Sequence, residues 1–229
     1  MAQDNPKAAA LHAKLDVHKP ALAMAAHNPL AAKLATAAGF DAIWGSGFEL
    51  SASYAVPDAN ILPMGTHLEM MRAIGEVQDR PVIADIDTGF GNAVNVAYAV
   101  PRYVAAGVAA IVMEDKIFPK DSSLRAGGRH ELLPVDEFQG KIEVAKAVAS
   151  GALVVAAHGG VDRRARPGGG ASSWQRLCRG GCGRRSDPQQ AEDAGRNPIV
   201  LPGLVRACSA GLGTHQLSEA LVRGCRDPW

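Results

Sequence analysis

Asp85 and Asp87 stand two residues apart in ADIDTGFGN (84–92), and Glu114 closes the apolar run AAIVMED (109–115). On an extended strand, residues two apart point to the same face. Three carboxylates brought to one pocket supply hard oxygen donors, which suit Mg²⁺. The competing reading is that one or more of them cap a helix or pair with a lysine or arginine. Convergence of all three favours the metal. Gly89 and Gly91 in the same stretch read as turn chemistry, because an isolated GxG is a weak sign of a phosphate loop.

A second group lies in WGSGFELS (44–51). Ser46 and Gly47 follow an apolar run, and glycine there lets backbone N–H groups approach a ligand oxyanion. A tight strand-to-loop turn explains the pair equally well. His27, at the end of LAMAAHN (22–28), reads as a structural histidine. The segment EDKIFPKDSSLRAGGRHELLP (114–134) is long and polar. Long ordered loops in compact domains often cover a site. Lys116, Lys120, Arg125 and Arg129 would set positive charge over the pocket, suiting an anionic substrate.

The elements that must position these residues alternate. LAMAAHN, AIWGSG (42–47), PVIADID (81–87), AAIVMED and LVVAA (153–157) read as buried strands. THLEMMRAIGEV (66–77) has helical spacing, with Thr66 and Glu69 set as a capping box and Leu68, Met71 and Ile74 as a stripe. VDEFQGKIEVAKAVASG (135–151) places Phe138, Ile142, Ala145 and Val148 on one face. Strand–helix alternation with continuous apolar strands predicts a parallel sheet covered by helices. Ser46, Asp85, Asp87 and Glu114 all fall where strands end, the edge at which such sheets carry their sites. Spacing alone leaves a barrel and an open doubly wound sheet equally admissible.

The chain has 229 residues and a net charge of +1. That average conceals a division. Residues 1–155 carry 13 Lys and Arg against 17 Asp and Glu; residues 156–229 carry 11, all Arg, against 6. The second part also holds all four cysteines (Cys178, Cys182, Cys208 and Cys225) and no Lys, Phe, Tyr or Met. The cysteine-free first part fits a reducing, cytoplasmic setting, and no leader or membrane span is legible. An Arg/Gly-rich nucleic-acid arm is disfavoured because the arginines are scattered and aromatics are few. The cysteine spacing does not complete a zinc site.

WGSGFELSASYAVPDAN, ADIDTGFGN and EDKIFPKDSSLR resemble the phosphoenolpyruvate mutase/isocitrate lyase superfamily, from about residue 21 to residue 155. The resemblance implies a (β/α)8 barrel, oligomeric, acting on a small 2-oxo acid or phosphonate with Mg²⁺, or with Mn²⁺ or Co²⁺ in its place. It places Mg²⁺ on Asp85, with Asp87 and Glu114 contributing directly or through waters. It gives Trp44, Ser46, Gly47, Phe48, Ser123 and Arg129 to substrate binding, and catalytic roles to Asp58, Lys120 and Ser122. It implies no nucleic-acid or membrane partner. The lyases carry a Cys in the loop that here reads KIFPKDSS, so their C–C chemistry is disfavoured. Ser122, a hydroxyl residue, sides with hydrolysis of a C–P bond over the mutase rearrangement; both, and a lyase or decarboxylase, remain as alternatives.

The resemblance stops near Ala156. Codons compatible with VDRRARPGGG (161–170), read one base later, encode LIAGLGQEEA; SDPQQAEDAGRN (186–197) becomes LIHSKQKTPEEI by the same shift. These are segments the superfamily carries, in order. A change of frame near residues 155–160 is the expectation. Residues 1–155 would then be the N-terminal part of the barrel, and residues 156–229 a disordered, out-of-frame tail. The 229-residue chain would be unstable and inactive.

Overall fold

The computed structural model describes residues 5–15, 21–122 and 131–157. They form six helices and five strands, and every strand pair is parallel. Helix α1 (Pro6–Lys14) precedes β1 (Ala23–Ala26), α2 (Pro29–Ala37), β2 (Ala42–Gly45), α3 (Gly47–Ser53) and α4 (Met64–Glu76). Then follow β3 (Val82–Asp85), α5 (Ala93–Ala105), β4 (Ala110–Glu114), α6 (Val135–Val148) and β5 (Leu153–Ala157). The strand order is β1-β2-β3-β4-β5. A doubly wound sheet reverses direction at a switch point, whereas consecutive parallel neighbours are what a (β/α)8 barrel lays down. The order therefore resolves what spacing left open.

Local sequence sets the helix starts. Asn5 and Asn28 cap α1 and α2 through their side chains, each followed by a proline in the first turn. Asn92 and Asn95 close a reciprocal capping box at α5. The expected box at Thr66 and Glu69 does not form. Helix α4 begins earlier, with Pro63 as its N-cap and no side-chain cap, so Thr66 lies inside the helix. Met71 and Ile74 are buried as the stripe requires, and Phe138, Ile142 and Ala145 are buried on α6.

Strand alternation sorts the apolar residues into two cores. Ala26, Ile43, Val82, Ala84, Ile111, Met113 and Val154 meet the helices. Ala23, Ala42, Trp44, Ile83, Ala110, Val112, Leu153 and Val155 line the opposite face, where they meet Ala8 and Leu11 of α1. Asn5 Nδ2 donates to the Val108 carbonyl at 3.0 Å and ties α1 to the end of the sheet where β4 begins. The inner face is thus plugged at the strands' N-terminal end, and the C-terminal end is left for chemistry. Among the described residues, no helix is long and apolar enough to cross a membrane.

Gly89 fixes the turn after β3. Its φ is +81°, and a Cβ there would lie 2.7 Å from Val96 Cγ2 and 3.2 Å from Met113 Sδ. Gly89→Ala should therefore destabilise the chain by about 1–3 kcal/mol from overpacking alone, with the left-handed backbone adding to it. Gly65→Ala, with nothing within 4 Å, is the control. Equal thermal midpoints for the two variants would refute this account of the turn.

Candidate active site

The C-terminal ends of β2, β3 and β4 converge with two loops. Asp85 is the last residue of β3 and Glu114 the last of β4. Asp87 is not on the strand. It lies in the following turn with φ +54°, and its N–H donates to Asp85 Oδ1 at 3.1 Å. The shared-face expectation for Asp85 and Asp87 is thus replaced by a turn, held because Glu114 N–H donates to the Asp87 carbonyl at 2.7 Å. Beneath it, Phe90 stacks on Tyr103 with centroids 6.2 Å apart, and His67 Nδ1 lies 2.8 Å from Tyr103 Oη. Burial holds His67 down, to about 4, so this support is uncharged at neutral pH.

Ser46 is buried just past β2 and caps α3, accepting from the Glu49 N–H at 3.1 Å. Gly47 faces Asp87 closely: a Cβ on it would lie 3.3 Å from Asp87 Oδ1. Trp44 is buried in the inner core, and Phe48 on α3 is exposed. His27, expected to be structural, has Nδ1 3.5 Å from Glu49 Oε2.

The lysines enter the pocket instead of standing over it. Lys120 is 7% exposed. Its ammonium pairs with Asp87, lies 3.0 Å from Asp58 Oδ1 and 3.8 Å from Glu114 Oε1. Lys116 Nζ is 3.3 Å from Glu114 Oε2. The segment that carries both is anchored at its ends, where Leu133 N–H donates to the Asp115 carbonyl at 2.8 Å and Ile117 N–H to that of Glu131 at 3.3 Å. Ser122 is half-buried next to this segment. Ser123, Arg125 and Arg129 lie outside the described residues.

Charge balance explains the protonation tendencies. Burial raises the Asp85 carboxyl to about 8, and Asp87 and Glu114 push the same way against Lys120. Burial also raises Glu114 and Asp58, each opposed by Lys120. For Lys120, burial works against the ammonium, but Asp87, Glu114, Asp85 and Asp58 outweigh it and hold the proton on. Among the described residues, no three Asp, Glu, His or Cys side chains are grouped so as to hold a metal ion directly. Asp85, Asp87 and Glu114 therefore do not form a closed ligand cage. The donor chemistry nevertheless fits a hard divalent cation that keeps several waters. Asp85 has no ion-pair partner among the described residues, and its carboxyl is raised first by burial and then by the neighbouring Asp87 and Glu114 charges.

The model of the phosphoenolpyruvate phosphomutase family matches residues 9–161. The chain belongs to this family. A phosphonopyruvate hydrolase of Variovorax sp. (strain Pal2) is 71% identical over 138 residues, covering 60% of this chain and 48% of the relative. A phosphoenolpyruvate phosphomutase of Tetrahymena pyriformis is 40% identical over 123 residues, covering 54% and 41%. The crystal structure of a phosphonopyruvate hydrolase in complex with oxalate and Mg²⁺ superposes with a TM-score of 0.69 and 44% identity, covering 94% of this chain and 77% of that one. The chain spans about half the length of the curated relatives it matches. Five parallel strands in consecutive order agree with the barrel lineage of these relatives.

The Asp85 carboxyl titrates above its unfolded value of 3.8. It therefore costs stability above that pH, increasingly up to about pH 8, and the cost vanishes on acidification. Asp85→Asn keeps the acceptor for Asp87 N–H and removes the charge. In chelator, the variant should melt higher than the parent at pH 8, with the gap closing towards pH 4. A lower melting point at pH 8 would contradict the assigned cause.

Proposed function

We propose that residues 1–155 are the N-terminal part of a Mg²⁺-dependent phosphonopyruvate hydrolase, an enzyme acting on C–P bonds, and that residues 156–229 are read out of frame. The observation that carries the reading is the Lys120 ammonium set between Asp58 and Asp87, with Asp85 and Glu114 beside it. A phosphonate needs cationic neutralisation at phosphorus and a carboxylate near the attacking oxygen, and this arrangement supplies both. The Variovorax relative, at 71% identity, carries that activity in its name. The segment KIFPKDSS lacks the cysteine of the lyases.

In the proposed reaction, water attacks phosphorus and the C–P bond breaks. The bonding pair moves onto C3, giving the enolate of pyruvate, which takes up a proton; phosphate leaves. Lys120 neutralises the phosphonate oxygens. Asp58, whose affinity for a proton is raised by burial, accepts the proton of the attacking water, and the Ser122 hydroxyl orients that water. Backbone N–H groups at Ser46 and Gly47, with Trp44 and Phe48, hold the pyruvyl end together with Ser123 and Arg129. Asp85 would hold Mg²⁺, with Asp87 and Glu114 reaching it through waters. When bound, the ion supplies Lewis-acid charge to the 2-oxo and carboxylate oxygens. Mn²⁺ or Co²⁺ would serve the same donors. We place the intact enzyme in the cytoplasm as a homo-oligomer, without nucleic-acid or membrane partners.

The family match ends at residue 161, close to where the composition turns to Arg, Gly and Cys. Compatible codons read one base later restore family segments beyond that point. The family's later substrate-binding Arg and His are missing as the chain is written, so it should be inactive.

Resequencing codons 150–165, followed by assay of the frame-restored gene product, tests the whole reading. The restored enzyme should release phosphate from phosphonopyruvate, stop on chelation of Mg²⁺, and lose activity by about 10²–10³-fold or more on Asp85→Ala, the lower bound being that for loss of one charge-stabilising group. The 229-residue chain should release none. Phosphate release by the chain as written would overturn the frame assignment; oxalate or CO₂ as the product of the restored enzyme would overturn the hydrolase reading.

A further inference from the structure

Asn60 lies in the loop between α3 and α4, half-buried, with φ +56°. Its side-chain amide joins two distant parts of the chain. Nδ2 donates to Asp87 Oδ2 at 2.9 Å, across 27 residues, and Oδ1 accepts from the backbone N–H of Lys120 at 2.6 Å, across 60. The orientation of the amide is forced, because a carboxylate only accepts and a peptide N–H only donates. The other Asp87 oxygen takes the Lys120 ammonium. The contacts close a ring: Asn60 to the Lys120 backbone, along the Lys120 side chain to Asp87, and from Asp87 back to Asn60.

Only a short primary amide meets these demands. Aspartate would lose the donor and set a second negative charge against Asp87. An aliphatic side chain would leave both partners unsatisfied. Asparagine also tolerates the left-handed backbone better than most residues. We infer that Asn60 is the positioning residue of the site: it fixes the rotation of the Asp87 carboxylate and seats Lys120 between Asp87 and Asp58. The catalytic meaning of that seat rests on the hydrolase reading; the seat itself does not.

Trypsin reports the seat directly, because cleavage after Lys120 requires its buried side chain to leave the carboxylates. In the full 229-residue chain, Asn60→Ala should speed cleavage of the Lys120–Asp121 bond about tenfold, as expected for the loss of two hydrogen bonds. Cleavage after Lys33 and Arg72 should stay unchanged. Asn60→Asp should be at least as fast, despite its matched size. Asn60→Gly should behave as Asn60→Ala, which assigns the effect to the side chain and not to the backbone. Unchanged cleavage at Lys120, or acceleration at all three bonds together, would overturn the proposal. In the frame-restored enzyme, Asn60→Ala should lower kcat with little change in KM, and an unchanged kcat would overturn the positioning role. If the parent restored enzyme releases no phosphate while Lys120 cleavage still responds, the hydrolase reading falls and the seat stands.

Discussion

Four carboxylates at one sheet edge set the terms for everything else in this structure. Asp58, Asp85, Asp87 and Glu114 cannot all be ionised in a half-buried pocket without positive charge among them. Lys120 provides part of it from inside the pocket, and Lys116 pairs with Glu114 from the side. Asp85, without an ion-pair partner among the described residues, is raised first by burial, with Asp87 and Glu114 pushing the same way. A fold optimised only for stability would replace that residue. On the proposed reading, a cation held at Asp85 would offset that cost.

The scaffold tolerates this cost because it keeps the two ends of the sheet chemically distinct. The inner and outer cores divide cleanly by strand alternation, and α1 closes the inner face at the opposite end from the carboxylates. The turn of residues 86–91 is held from three sides: by the Asp87 carbonyl to the Glu114 N–H, by the close packing of Gly89 on Met113 and Val96, and by Phe90 on Tyr103. An uncharged His67 beneath it adds hydrogen bonding without adding to the charge problem. The pocket's electrostatics are therefore confined to groups that can face a ligand.

Much of this was legible in the sequence. The five apolar runs gave the strands because parallel strands are buried on both faces and leave a continuous signature; β5 matches LVVAA residue for residue. The position of the carboxylates at strand ends followed directly. What period alone could not show was where a strand stops. Asp87 follows Asp85 at strand spacing, yet the chain has already turned, so the two meet through a backbone hydrogen bond and not through a shared face. Helix starts at Asn-Pro steps were visible in principle at Asn5 and Asn28, whereas the Thr66 box competed with a stronger start at Pro63. Asn60 was beyond reach, since its partners lie 27 and 60 residues away and loop polarity is its only local sign.

The lysine seat also changes how cation loading is to be understood. On the proposed reading, the ammonium between Asp87 and Asp58 and a divalent ion at Asp85 would draw on the same pool of negative charge. Each makes the other's position less favourable by Coulomb repulsion, and more so in a pocket screened from water. An anionic substrate reverses that sign: oxygens placed between the two cations are attracted by both and relieve their repulsion. On the proposed reading, metal and phosphonate would therefore bind cooperatively, with Lys120 as the third charge in the balance. Asn60 matters to this scheme because it acts on geometry and not on charge. By holding the Lys120 backbone and the Asp87 carboxylate to one another, it fixes where the ammonium sits among the carboxylates.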